Sequence, residues 1–336
     1  MKKDTLLTIS ERTGYSVSTV SRVLSGQGPK YRIAQKTIDY ITEVARACNY
    51  TPNLIAHSLR TNRTNTIGLI VPNIDNPFFS TLAAIIINQF KMRGYTLLLT
   101  DTMESETNEI QAVSTYVSRQ VDGIIVVPVG NSPGYLEDIA GSIPVVLIDR
   151  YFEDTTLPYV CTDNYSGGYM ATEYLINKGY RNLMAVQGVR TSMPNRERMR
   201  GFLQAASDHS ASGVRKRTAG DSFSVENGYK ETMAAMTSGD RPDAIFAFST
   251  TILLGVIKAV KELGLRIPED VALISFDNNR FLDYLDPAIT RIEQPLHTIG
   301  EIATDSIIRM IESEDGPVSG QFQILIRPSL IEGRSC

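Results

Sequence analysis

The sequence is poor in the residues from which metal centres and redox sites are built. It has three cysteines, Cys48, Cys161 and Cys336, and three histidines, His57, His209 and His297. None of the six stands at the close spacing of a zinc site or of a disulfide framework, so no metal is expected and the thiols are expected to be reduced. No apolar stretch approaches the roughly 18 residues that a bilayer span requires. The opening Met1-Lys2-Lys3-Asp4 runs into Ser/Thr-rich sequence and not into a signal-peptide core, so a cytoplasmic protein is expected. Also missing are a P-loop, an HExxH pair and a nucleophile elbow. A Gly-rich dinucleotide fingerprint is absent too, and Val71-Pro72-Asn73-Ile74-Asp75-Asn76-Pro77 stands where one would follow the first strand-like run. These absences argue against an enzyme and against a nucleotide cofactor.

What is present is a chain of 336 residues, 42% hydrophobic and 21% charged, enough for a small domain plus one large or two medium ones. Its charge is unevenly placed. Through Arg63 there are ten Lys/Arg against four acids, a net +6, so the overall −4 leaves −10 on the remainder. A small basic module on an acidic body can collect phosphates without the whole protein adhering to polyanions.

The basic module reads as a helix-turn-helix. Leu6 and Ile9 share one face of a short helix, Gly14 suits a tight turn, and Ser16 reads as the next N-cap. From there Val20, Val23 and Leu24 form an apolar stripe, while Ser18, Thr19, Ser21 and Arg22 project from the other side. Those side chains suit a DNA major groove: hydroxyls for bases or phosphates, Arg22 for guanine O6 and N7, Val17 for a thymine methyl. A third helix over 33–48, with Ile38, Ile41, Ala45 and Cys48 on one face, completes a minimal core. The rival reading is a helical hairpin that contacts only protein. Beyond it, Pro52 breaks the chain and Asn53 can cap a helix of two turns, too short to persist in water without help.

These residues carry a resemblance. Thr19-Val20-Ser21-Arg22-Val23-Leu24, Asn49-Tyr50-Thr51-Pro52-Asn53 and Ala56 with Leu59 resemble the head and hinge of the LacI/GalR family of bacterial transcriptional regulators. The resemblance implies a DNA-contacting set of Thr8, Ser16, Val17, Ser18, Thr19, Ser21 and Arg22, with Asn53, Ala56 and Leu59 in the hinge. By the same resemblance Leu59 wedges into the minor groove, and its alternative role is dimer packing. The connection Gly26-Gln27-Gly28-Pro29-Lys30-Tyr31-Arg32 is longer than the usual family loop, so contacts there do not transfer.

From Thr66 the texture changes. Strand-like runs at 66–71, 95–100, 123–127 and 144–148 alternate with helical patterns at 79–92, 108–119 and 136–140. The pattern restarts with strands at 182–187, 244–248 and 271–276 and helices at 167–177, 195–207, 225–237 and 252–263. Such alternation means parallel sheets covered on both faces, and its restart suggests two similar lobes. In such sheets ligands sit beyond the carboxyl ends of the strands, where Asn73 to Phe79, Asp149, Arg150, Gln187 to Arg198, Ser249 to Thr251, Asp277 and Asn278 fall.

Family-like markers continue through Asn76-Pro77-Phe78-Phe79, Ile148-Asp149-Arg150, Gly201-Phe202, Ser275-Phe276-Asp277-Asn278 and Gln294-Pro295. They imply an all-α head on an α/β body of two doubly wound, parallel-sheet lobes like those of periplasmic binding proteins. The expected division is 1–50 head, 51–63 hinge, 64–162 with 294–320 N-lobe, and 163–293 with 321–336 C-lobe. Asp149 and Asp277 can each accept two hydroxyl hydrogen bonds, Arg198 can clamp an oxygen pair, and Phe78, Phe79 and Phe223 offer apolar faces. With Arg150, Ser249 and Gln294 they make the expected effector site, though Phe78 or Phe79 can equally be core and Arg150 can pair with Asp149. Ser249-Thr250 stands where many sugar-binding relatives carry Asn-Asp; the missing carboxylate counts against the familiar sugars and leaves acid sugars, phosphorylated sugars and purines open. The expected function is therefore a repressor-type regulator. Its partners are a pseudo-palindromic operator on double-stranded DNA, a small sugar-like effector and a second copy of itself, with a tetramer left open. A secreted sugar-binding protein shares the body but needs a leader and no basic head.

Overall fold

The computed structural model describes residues 5–48, 50, 63–313 and 322–336, and the chain divides into two units between Thr64 and Asn65. In the first unit lie α1 (Leu6–Thr13), α2 (Val17–Leu24) and α3 (Gln35–Ala47). Helices this short need both caps and a core. Thr5 and Thr8 form a reciprocal capping box, each backbone N–H donating to the other's hydroxyl at 3.3 Å. Gly14, at φ +73°, closes α1, and Ser16 caps α2 by accepting from the Thr19 N–H at 3.2 Å. Ile9, Val20, Val23, Ile41 and Ala45 are buried together, so the three apolar stripes meet in one small core. The third helix starts later than the expected Ile33 because Ala34 is still extended. The long connection before it is folded: Ile33 N–H donates to the Gly28 carbonyl at 3.0 Å and Tyr31 N–H to that of Gln27 at 3.2 Å.

The second unit holds two sheets. Strands β1 (Thr66–Val71), β2 (Thr96–Asp101), β3 (Gly123–Val126), β4 (Val145–Ile148), β5 (Tyr159–Thr162) and β11 (Gln323–Ile326) are all parallel, in the order β2-β1-β3-β4-β5-β11. Strands β6 (Asn182–Val186), β7 (Arg215–Ala219), β8 (Ala244–Ala247), β9 (Ala272–Phe276), β10 (Thr290–Glu293) and β12 (Ser329–Ile331) repeat that order as β7-β6-β8-β9-β10-β12. Only β12 is antiparallel to its neighbour. Parallel neighbours need crossover helices. The first lobe uses α4 (Pro77–Met92), α5 (Glu106–Ser118) and α6 (Gly134–Ala140). The second uses α7 (Asn164–Asn177), α8 (Met193–Asp208), α9 (Val225–Met236) and α10 (Thr250–Glu262). Then α11 (Leu296–Glu312) returns to pack on α4 and on β3 to β5.

Central strands β1, β3 and β4 are buried almost throughout, which is why their sequences read as unbroken apolar runs. The edge strand β7 is Arg215-Lys216-Arg217-Thr218-Ala219, mostly exposed and cationic, a composition that discourages pairing with another chain. The expected assignment of 321–336 to the C-lobe is corrected: β11 completes the N-lobe sheet against β5, and Ile324 and Ile326 pack onto the N-lobe core. Only from Ser329 does the tail join the second sheet. Without β11, β5 would be an open edge with unpaired backbone groups.

The chain thus passes between the lobes after β5, after β10 and between β11 and β12. The Thr162 hydroxyl donates to Gln294 Oε1 at 2.6 Å and joins the first two passages. In the C-lobe, α7 and α8 touch backbone to backbone: a Cβ on Gly168 would lie 2.3 Å from the Arg198 carbonyl oxygen. That contact fixes the stem of Arg198.

Candidate functional site

The exposed face of α2 carries what the sequence led one to expect, with a division of labour. Thr8 is committed to the α1 cap and Ser16 to the α2 cap, where its hydroxyl also lies 2.9 Å from those of Ser18 and Thr19. Val17, Ser18 and Arg22 are exposed, and Thr19 and Ser21 half-buried. Asn53, Ala56 and Leu59 lie outside the described residues. The sequence reading missed Tyr31, in the long connection. The Arg22 guanidinium carbon stands 4.0 Å above the centre of its ring, an arrangement that fixes the direction of the fork. An exposed contact of this kind contributes about 0.5–1 kcal/mol. Tyr31→Ala should therefore cost a few-fold in operator affinity per head in a gel shift, and Tyr31→Phe almost nothing; equal losses would mean the hydroxyl, not the ring face, matters.

In the second unit, Phe78, Phe79, Asp149, Arg150, Arg198, Phe223, Ser249, Asp277 and Gln294 all line one cleft between the lobes, together with Asn76, Glu104, Ser192 and Pro194. Most are placed by a strand end or helix start, and Arg198 projects from the second turn of α8. Asp149 follows β4 and Asp277 follows β9, matched positions in the two lobes, and both take left-handed backbone, φ +63° and +77°. Aspartate tolerates that region better than most residues, and here it takes it at matched positions lining the cleft. Gln294 Nε2 donates to Asp277 Oδ1 at 2.6 Å, so the residue that crosses between lobes also aims a cleft carboxylate. Arg198, 4% exposed, donates through Nε to Asn164 Oδ1 at 2.8 Å and through Nη1 to the Phe248 carbonyl at 2.5 Å, and lies 3.7 Å over the Phe276 ring.

Two alternatives are resolved. Phe79 is buried in the N-lobe core and lines the cleft as well, with Phe78 set edge-on at 5.0 Å. Arg150 reaches Asp149 only at 3.8 Å, through Nε, while its two terminal nitrogens bond both oxygens of Glu104 at 2.9 and 2.8 Å. Phe223 can lie flat against the backbone because position 188 is glycine; a Cβ there would come within 2.3 Å of the ring. Ser249 caps α10 by accepting from the Ile252 N–H at 3.2 Å, which leaves its proton for the cleft. Among the described residues, Ser192 Oγ and Arg150 Nε are buried with no hydrogen-bond partner, two donors left for a guest.

Burial pushes Asp149 up to about 6, although Arg150 and Arg198 pull the other way. The sign follows from linkage. A carboxyl raised from 3.8 favours the folded state while protonated and loses that contribution as pH rises through about 6. Asp149→Asn, which also tolerates the backbone, should raise unfolding free energy at pH 7 by on the order of 1–3 kcal/mol and flatten its fall between pH 4 and 6. Calorimetric melts across that range check it; a lower melting temperature at pH 7 would contradict the assignment.

This architecture, a helix-turn-helix head and a cleft between twin parallel-sheet lobes, defines a ligand-responsive DNA-binding regulator. Residues 5–53 match the family described as bacterial regulatory proteins, lacI family, and residues 172–336 match the periplasmic binding protein-like domain. The chain is 32% identical to the HTH-type transcriptional repressor PurR of Pectobacterium atrosepticum, over 98% of this chain and 96% of that protein. It is 29% identical to a ribose operon repressor of Halalkalibacterium halodurans, over 92% and 91%. A lac repressor dimer crystallised with operator and the anti-inducer ONPF has the same fold: TM-score 0.86, 21% identity, 99% of each chain. The chain belongs to the LacI family. It is a DNA-binding transcriptional repressor with an effector-binding body. Among the described residues no helix is long and apolar enough to cross a membrane.

Of the cleft, sequence reasoning missed Glu104 altogether. It lies just beyond β2, and the rule that ligands gather past strand ends would have found it had that end been included.

Proposed function

We propose that the effector is a small polyhydroxylated molecule, a sugar or sugar derivative, held between the lobes, and that its binding alters the grip of a homodimer on a pseudo-palindromic operator. The observation that carries this is the inventory of the cleft. Asp149 and Asp277 stand ready to accept pairs of hydroxyls, Ser192 Oγ and Arg150 Nε make no hydrogen bond, and Phe78 and Phe223 line the same space. Two relatives support it. One is named a ribose operon repressor. The other, from Alkaliphilus metalliredigens QYMF, was crystallised with D-xylulofuranose and is 29% identical with TM-score 0.69, over 81% of this chain and 98% of that one.

On this reading the two heads occupy adjacent major-groove half-sites, and Asn53, Ala56 and Leu59 of the paired hinges order together in the minor groove between them. Lobe closure moves the hinges relative to each other. The protein works in the cytoplasm and performs no chemistry on its ligand. A thermal-shift screen of the full chain against monosaccharides and purine bases tests the class, because a specific guest stabilises by mass action. Stabilisation by a purine and by no sugar would overturn it.

A further inference from the structure

Glu104 is the least expected member of the cleft. It follows β2 in a turn where two consecutive residues, Met103 and Glu104, take left-handed backbone at φ +52° and +56°. Neither is a residue that adopts this region readily, so the surrounding contacts must hold it there. The Glu104 N–H donates to the Pro72 carbonyl at 2.8 Å and the Met103 N–H to Asp101 Oδ1 at 2.9 Å, and these fix the turn. The turn's effect is to bring a carboxylate against the guanidinium of Arg150, both oxygens engaged, while Arg150 itself is nearly buried and Glu104 half-exposed.

The consequence is a matter of charge. The cleft lining contains three carboxylates, Asp149, Asp277 and Glu104, and two guanidinium groups, Arg150 and Arg198. Arg198 has Asp149 and Asp277 within Coulombic range, and the fork of Arg150 is taken by Glu104. No positive charge is left over for a guest. Further out, Glu153 is paired with Arg196 at 2.6 Å, and Asp154 adds another negative charge at the mouth. An anionic sugar would therefore enter a space of net negative charge, and like charges brought together out of water cost several kcal/mol.

Resting on the reading of the effector as a sugar, we infer that Glu104 is a specificity-determining residue: by taking up the charge of Arg150 it makes the cleft select neutral sugars over their phosphorylated or acid counterparts. It acts through Arg150, as a positioning residue, and not by touching the ligand's reacting or recognised groups itself.

The test uses the full-length protein and matched pairs: D-ribose with ribose 5-phosphate, D-xylulose with xylulose 5-phosphate, D-glucose with glucose 6-phosphate and with gluconate. Affinities come from calorimetry, preceded by thermal shift. The wild type is expected to bind a neutral member at least about 100-fold more tightly than its anionic counterpart. In Glu104→Gln that ratio should shrink by roughly tenfold or more, because the Arg150 fork is freed and the lining falls from three carboxylates to two against its two guanidinium groups. Glu104→Asp, which keeps the charge at shorter reach, should retain the preference for the neutral member. A role confined to stability would move both affinities together and leave the ratio alone, and that result overturns the inference. So does a wild type that prefers an anionic member, which would leave the sugar reading intact. Silence across the whole panel would overturn the sugar reading, and the inference with it.

Discussion

Replacing Arg198 by alanine is expected to abolish effector binding, by more than about 100-fold in Kd, while the heads still bind operator. The guanidinium is buried and does three things at once. It bonds Asn164 and the Phe248 carbonyl, it covers Phe276, and it supplies positive potential to Asp149 and Asp277. Truncation leaves the Asn164 oxygen and a carbonyl without their donor and removes positive charge from beside Asp277 and Asp149, of which only Asp149 keeps Arg150 at 3.8 Å. Removing one partner of a buried charged set costs about 3–5 kcal/mol, so the body should also melt earlier. Arg198→Lys keeps the charge but not the planar fork, and should recover stability better than affinity. The expected phenotype is a repressor that holds its operator and no longer responds to effector. Calorimetry with the effector and a gel shift without it check the two halves. Unchanged effector affinity in Arg198→Ala would remove this residue from the site.

The second large effect belongs to the head. Arg22 is exposed on α2 with its fork held over Tyr31. A bidentate contact to guanine discriminates by about 1–3 kcal/mol, and a dimer makes it twice. Arg22→Ala should therefore lower operator affinity roughly 100-fold or more, with much less effect on random duplex at the same salt concentration. A phosphate contact would behave differently, weakening both duplexes alike and flattening the salt dependence. Gel shifts on operator and random DNA over a salt series separate the two; parallel losses would make Arg22 an anchor and not a reader.

Much of this was legible in the sequence because the relevant signals are local. The central strands β1, β3, β4, β6, β8 and β9 are apolar runs between turn residues, and buried strands have to be so. The α2 cap and stripe were legible for the same reason: Ser16, Val20 and Val23 are fixed by helical geometry alone. The missed strands are elements defined by their neighbours, whereas the missed α11 does carry a helical period in Ile299, Ala303, Ile307 and Met310. Strand β7 reads as a charged segment because it lies at an edge, and β10, β11 and β12 are too short to carry a period. Nothing in Gln323–Ile326 says which lobe it joins; pairing with β5 decides that.

The cleft divides the same way. The nine expected residues line one cleft because strand ends converge in a doubly wound sheet, where the family resemblance also marked them. Glu104 and Tyr31 were not, since each acts on a distant arginine, Arg150 and Arg22, and no local pattern records such a pair.

If cleft and operator are coupled through one conformational equilibrium, the coupling must be reciprocal. The decisive measurement is therefore a closed cycle on the full-length protein: operator Kd with and without saturating effector, and effector Kd with and without saturating operator. The expected result is the same factor from both sides, about 5- to 150-fold. An operator affinity that stays constant while the cleft fills would contradict the account.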